Sequence, residues 1–523
     1  MKNKNKIYVF DTTLRDGEQA SGFHMLPDEK LEIAKGLTEL NVDVIEAGFA
    51  ASSPGDFRAV RKIAEEIDSH TICSLARAVD YDIMDAAEAL KPAIKRGNGR
   101  IHTFIATSQI HTENKLKKSP DEIKQLASDA VKLAHVYTDD VEFSTEDFGR
   151  SNTDYIVDIV ETVIKAGATT INLPDTVGYL IPREMYLKTK EVIQRVGERI
   201  SIDNIIFSCH CHNDLGNATA HTCEAILAGA RQIEVTINGI GERAGNTSLE
   251  QVIANIKERN KYETNPFTGG KDPFYGLDIS HIKTEKIGLI SRLVSKYTNN
   301  IPQPNFPIVG RNAFAHEAGI HQDGIIKDRN TYEWLDPSDY GVESIITFGP
   351  RSGRNALRTK YKSMGINLNE EEFQKAAKNF IEIADQVKEI DDADIVNSAT
   401  QKKIRETYRL ASYGPTISSL IGNTIKLYVD NKIYMEYAEG NGQIDAAIKA
   451  IKKIIKKDYQ LLDFKITAEY PGSNSSGSTR VVLGNNNWIV IGKSESTDIV
   501  TSGISAYVDS CNRMKYIEDY FKD

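Results

Sequence analysis

Between Lys6 and Arg259, short β-branched runs alternate with longer segments of helical period, and the alternation repeats eight times. Few folds accept such a series, because each run must be a parallel strand and each helical segment a crossover. The candidate strands are IYVFDTT (7–13), VDVIEAGF (42–49), TICSLAR (71–77), RIHTFIAT (100–107), DVEFSTE (140–146), TTINLPDT (169–176), IIFSCHCHN (205–213) and QIEVTINGI (232–240). The segment SPDEIKQLASDAVKLAHVY (119–137) illustrates the helical half. Ser119 caps it, Pro120 takes the first turn, Glu122 completes a capping box, and Ile123, Leu126, Val131 and Leu133 supply the apolar stripe. Eight such units in roughly 250 residues fit an α/β fold of the (β/α)8 TIM-barrel type. An open doubly wound sheet uses the same alternation. The polar residues favour the barrel: Asp11, Arg15, Asp16, His102, Glu146, Thr176, His210, His212 and Asn246 fall at or just past the carboxyl ends of different strands, and a barrel gathers those ends on one face.

After Arg259 the alternation stops, and NPFTGGKDPFYG (265–276) breaks the chain. A core stops growing at roughly 250 to 300 residues, so the 523 residues divide into a catalytic barrel (1–275), helical linker or lid subdomains (276–400) and a small α+β module (401–523). The acidic stretch EIDDADI (389–395) marks the second boundary. The tail repeats one unit, two strands and a helix, at 423–451 and 478–508, a pattern suited to ligand sensing or dimerisation. A net charge of -10 offers no global positive field for nucleic acid or an anionic membrane. No uncharged apolar run reaches about 18 residues, so no membrane span is expected. Five cysteines, an odd number and mostly inside apolar runs, suggest reduced thiols in the cytoplasm.

The chemistry concentrates in a few motifs. In SCHCHND (208–214) the strand period of two turns His210 and His212 one way and Cys209 and Cys211 the other. The four cannot share one cage, but two imidazoles at a strand's carboxyl end make a divalent-metal site that a carboxylate should complete, and Asp16 is the candidate. In DTTLRDGEQ (11–19), Arg15 beside Asp16 puts fixed positive charge where an oxyanion would develop. NGIGERAGN (238–246) has G-x-G-x-x-x-G spacing, one residue too long for a dinucleotide loop, and suits a tight turn offering Glu242 and the Asn246 amide oxygen to the metal.

Together with IEAGF, SSPGDF, RIHTFIATS, DDVEFSTED, TTINLPDTVGY and GIHQDG, these motifs resemble the bacterial 2-isopropylmalate synthases, from about residue 6 to 360 and weakly through the tail. The resemblance implies condensation of acetyl-CoA with 2-oxoisovalerate to 2-isopropylmalate and CoA, the first committed step of leucine synthesis. It implies a divalent metal (Mn, Mg or Zn) on Asp16, His210, His212 and Asn246, and a monovalent cation activator. Arg15 would stabilise the alkoxide; His102, Ser144 and Thr176 would contact the 2-oxo acid; Glu146 would line the same pocket. His321, in place of an Asp323-paired surface histidine, and Tyr332 would serve acid–base chemistry from a helical subdomain. A homodimer with leucine bound at the tail is also implied, although PGSNSSGSTR (471–480) departs from the family's Gly-rich turn. Citramalate and homocitrate synthases would keep the same metal set, and a non-catalytic amino-acid sensor would have lost part of it.

Overall fold

A computed structural model of the chain describes residues 5–417, 421–472 and 475–522. The apolar runs form eight parallel strands, β1 (Tyr8–Asp11), β2 (Val44–Gly48), β3 (Thr71–Arg77), β4 (Gly99–Ala106), β5 (Val141–Glu146), β6 (Thr170–Asp175), β7 (Ile206–Cys211) and β8 (Gln232–Val235). Neighbours pair in sequence order and β8 returns to β1, with Tyr8 opposite Gln232 and Asp11 opposite Val235, so the sheet is a closed barrel. Closure settles the choice against an open doubly wound sheet.

The helix Pro120–Tyr137 begins as its sequence dictates: Ser119 Oγ accepts from the Glu122 amide at 3.3 Å and the Glu122 carboxylate accepts from the Ser119 amide at 2.7 Å. Ile123 and Val131 are fully buried against the barrel, while Leu126 and Leu133 pack at its margin. Each fully buried aliphatic side chain of this kind stabilises the fold by about 1.5–3 kcal/mol.

Inside the barrel the filling is largely polar. Phe10, Val44 and Cys73 form one small apolar cluster there. Arg100 on β4 donates to Glu142 on β5 at 2.9 Å and to Gln232 on β8 at 2.7 Å, a bond between non-adjacent strands that crosses the lumen. Burial pushes the Glu142 carboxyl up and the Arg100 charge draws it partly back, leaving it at about 8. A carboxyl whose folded value lies above its unfolded one keeps a proton that the unfolded chain releases. Stability should therefore fall as pH rises from about 4.5 to 8, by up to about 1.4 kcal/mol per pH unit, and level off above. Urea midpoints of wild type and Glu142→Gln at pH 5.5 and 8.5 check this: the wild type should lose ground to the variant, and parallel profiles would refute it.

The chain separates into two compact units, residues 1–314 with 335–344, and residues 315–334 with 345–523. In the second, the helix Gly319–Lys327 follows a two-residue parallel pairing of Ala315–His316 with Ile345–Ile346. The tail holds two antiparallel three-stranded sheets, each followed by a helix, Gln443–Ile455 and Ile499–Tyr520. Each repeat thus has three strands where the sequence suggested two. Tyr408–Ile417 was obscured by Gly414 and Pro415, which an edge strand tolerates. Gln460–Ala468 alternates polar and apolar residues only from Asp463 onward; the bulge between Leu461 and Asp463 breaks the pattern at its start, and the strand is largely exposed. Among the described residues no helix is long and apolar enough to cross a membrane, and all five cysteines carry free thiols.

Candidate active site and metal centre

The site grows from turns at the carboxyl mouth. After β1 the amides of Arg15, Asp16 and Gly17 all donate to the Thr12 carbonyl, at 3.1, 2.9 and 3.0 Å. Thr13 Oγ1 donates to Asp11 at 3.0 Å and accepts from the Ile237 amide at 2.9 Å, joining this turn to the one after β8. Arg15 and Asp16 therefore face the barrel axis from a braced loop. Arg15 Nη1 contacts Asp16 Oδ2 at 2.5 Å, and its Nε donates to Glu46 on β2 at 2.6 Å.

At the end of β7 and on the residue after it, His210 and His212 point into the lumen, and Cys209 and Cys211 pack outward in the apolar core, as the strand period requires. His210 Nε2 lies 3.2 Å from His212 Nε2 and 3.9 Å from Asp16 Oδ2. Nitrogen and oxygen atoms from Asp16, His210 and His212 lie within 4.8 Å of one another. Asn246 joins them: its Nδ2 donates to Asp16 Oδ1 at 2.7 Å, and its segment bridges to His212. Gly241 makes the approach possible, for at its φ of +153° a Cβ would fall 2.1 Å from Asn246 Nδ2.

Electrostatics prepare these atoms for a cation. Burial pushes both imidazoles down to about 4, and mutual repulsion adds to this for His212, so both are neutral at pH 7. Burial would raise Asp16, but Arg15 and the two histidines outweigh it and hold the carboxyl well below its ordinary range. Asn246 Oδ1 is buried without a hydrogen-bond partner. Two neutral imidazoles, a carboxylate and an unsatisfied amide oxygen are a donor set that fits one divalent ion.

The remaining sequence candidates fall in two groups. His102 accepts or donates at both nitrogens, Nδ1 to Glu46 Oε1 at 2.8 Å and Nε2 to Ser144 Oγ at 2.7 Å, and Ser144 accepts from Asn172 Nδ2 at 2.8 Å. Thr176 Oγ1 accepts from the Asp147 amide at 2.9 Å, and Glu146, at the end of β5, pairs with Lys115 at 3.0 Å. Glu242 stays outside the cluster, 60% exposed and 3.6 Å from Arg243. In the second unit the rings of His321 and Tyr332 lie 4.3 Å apart, centre to centre. Asp323 pairs with Lys327 at 2.6 Å and with Asn355, not with His321.

Glu46 and Glu234 were missed in the sequence. Glu234 Oε2 holds His210 Nδ1 at 2.8 Å, which directs the opposite nitrogen at the cluster. Their signal was a lone acidic residue at an inward position of an apolar strand, in VIEAG and in QIEV.

A closed barrel with a two-histidine, one-carboxylate cluster at its carboxyl mouth defines a barrel enzyme of the metal-dependent kind, and the HMGL-like family model matches residues 6–287. The homocitrate synthase post-HMGL domain-like model matches 308–388, and the LeuA allosteric (dimerisation) domain matches 386–515. The 2-isopropylmalate synthase of Chromobacterium violaceum is 45% identical over 522 residues, covering 98% of this chain and 97% of that protein. Those of Aquifex aeolicus and Pyrococcus furiosus are each 44% identical, covering 98% of this chain and 97% and 99% of theirs. The chain belongs to the 2-isopropylmalate synthase family.

Proposed function

We propose that the chain condenses the methyl carbon of acetyl-CoA with the keto carbon of 2-oxoisovalerate, water then cleaving the thioester to give 2-isopropylmalate and CoA. The observation that carries this reading is the meeting of Asp16, His210, His212 and the orphaned Asn246 oxygen beside a fixed guanidinium. A divalent ion bound there would supply a Lewis acid for the keto carbonyl of a chelating 2-oxo acid. Asp16, His210, His212 and Asn246 would hold it. Arg15 keeps a positive charge where the keto oxygen becomes an alkoxide, and it needs no reorganisation because Glu46 and Asp16 already fix it. His102, Ser144 and Thr176 orient the 2-oxo acid, and Glu146 lines its pocket. A cavity of about 750 Å³ beside Asn246, lined in part by Gly239, Arg243, Gln251 and Phe306, offers room for a thioester arm.

His321 is proposed to take the methyl proton, with Tyr332 beside it. Gly324 supports that pairing: a Cβ there would meet the Tyr332 ring at 2.6 Å. Within the helix Gly319–Lys327, alanine would be favoured over glycine by about 1 kcal/mol on propensity alone. Gly324→Ala should nonetheless lower kcat, and its effect should be smaller once Tyr332 is alanine, where only Thr331 Oγ1, 2.8 Å from the new methyl group, still has to give way. A full loss in the Tyr332→Ala background would show that Gly324 acts by another route.

The tail is proposed to pair with a second copy of the chain and to bind leucine, a reading supported by the LeuA domain match. The departing loop 471–480 bears on that reading, and residues 473 and 474 of it lie outside the described residues. The central test is thiol release from acetyl-CoA with pyruvate, 2-oxoisovalerate and 2-oxoglutarate, with and without chelator and leucine. 2-Oxoisovalerate should be fastest and chelator should stop it; pyruvate running ahead, or indifference to prolonged chelation, would overturn the reading.

A further inference from the structure

Glu46 is fully buried on β2, outside the Asp16, His210 and His212 cluster, and its carboxylate groups instead with Cys73 and His102, whose donor atoms lie within 4.8 Å of it. Two residues earlier on the same face of the strand, Val44 packs with Phe10 and Cys73, so an apolar side chain serves the fold at neighbouring depth. A buried carboxylate carries a large desolvation cost unless donors surround it. Glu46 has three: Arg15 Nε at 2.6 Å and Thr12 Oγ1 at 2.6 Å on one oxygen, and His102 Nδ1 at 2.8 Å on the other. The backbone is adapted at this point as well. The β2–β3 register slips between Glu46 and Gly48, and irregularities of this kind beside active sites re-aim a side chain.

We propose that Glu46 is a positioning residue, one carboxylate that fixes the guanidinium of Arg15 and the imidazole of His102 in a single relative geometry toward the bound 2-oxo acid. The proposal rests on the condensation reading for the location of that acid. With Nε on Glu46 and Nη1 on Asp16, Arg15 keeps Nη2 without a hydrogen bond among the described residues, and that edge is the one left for substrate. With Nδ1 on Glu46, the His102 ring can present only Nε2, toward Ser144 and through it Asn172. The line Arg15, Glu46, His102, Ser144, Asn172 thus ties the turn after β1 to β2, β4, β5 and β6. Glu46 acts through these partners, since the groups its two oxygens meet are Arg15, Thr12 and His102.

Glu46→Gln keeps the shape and removes the charge and one acceptor, whereas Glu46→Asp keeps the charge and withdraws it by one methylene. Both are assayed as full-length enzyme with Mn²⁺, acetyl-CoA and 2-oxoisovalerate. Because misplacing a charge or substrate contact by about 1 Å costs on the order of 100-fold, kcat should fall about 100-fold in Glu46→Gln and about tenfold in Glu46→Asp. KM for 2-oxoisovalerate should rise, with KM for acetyl-CoA and the affinity for Mn²⁺ unchanged. Wild-type kcat in either variant overturns the proposal. So does a loss confined to the amount of folded protein, with kcat and both KM values intact. Should Glu46→Gln fail to fold, Glu46→Asp decides alone. A wild-type enzyme inactive on every 2-oxo acid overturns the condensation reading instead, and calorimetric binding of 2-oxoisovalerate to the Mn²⁺-loaded variants then tests Glu46: weakened binding supports it and unchanged binding overturns it.

Discussion

His210→Ala loses turnover altogether in the expected outcome, by about 10³-fold or more, because the substituted ring is one of two nitrogen donors and the cation acts on the bond-forming step. Loss of a supporting group behind a ligand weakens metal binding by about 10 to 100-fold, and loss of the ligand itself should exceed that. Metal content after dialysis, read beside thiol release, checks both arms. Far-ultraviolet circular dichroism separates the effect from unfolding, since Glu234 would lose its partner. A variant that retained the ion and turned over at the wild-type rate would remove His210 from the site.

Arg15→Leu should be nearly as severe for activity and worse for stability. Removing a preorganised charge at a developing oxyanion costs about 10² to 10³ in kcat. The same change leaves Glu46 buried without its cation, and breaking a buried pair costs about 3–5 kcal/mol. The pH dependence distinguishes this from a packing defect. Burial alone would raise Glu46, but Arg15, followed by His102 and Thr12, brings it down to about 2. A carboxyl lowered in the folded state contributes stability above its unfolded value near 4.5, and that contribution is lost as pH falls toward 2. Without Arg15 the contribution shrinks or reverses, so the gap between wild type and variant should be wide at pH 7 and clearly narrower at pH 3. Denaturant midpoints at those two pH values provide the measurement, and a gap independent of pH would count against the pairing.

Much of this was legible because the two periodicities of backbone structure leave direct marks. Alternating runs gave the barrel strands within a few residues, and the parity of His210 and His212 against Cys209 and Cys211 gave their opposite orientations. Asp16 and Asn246, at opposite ends of the barrel sequence, could be placed with the histidines because strand ends share one face. Residues whose importance lies in a partner left weaker marks. Glu46 and Glu234 look like isolated charges in apolar strands until Arg15, His102 and His210 are seen against them. Glu242 looked like a ligand through proximity in sequence, but the turn that aims Asn246 inward sends it to solvent. The edge strands of the tail escaped because edges tolerate proline, bulges and exposure, which shorten or interrupt an alternating pattern.

The charged and amide side chains crossing the lumen, Arg100 with Glu142 and Gln232 below and Glu46 and Glu234 above, divide labour between depth and rim. A protein engineer seeking a different oxo acid would leave this interior lattice alone and vary the tips of the βα loops. A substitution inside the lattice would disturb several strands at once and shift orientation, protonation and stability together.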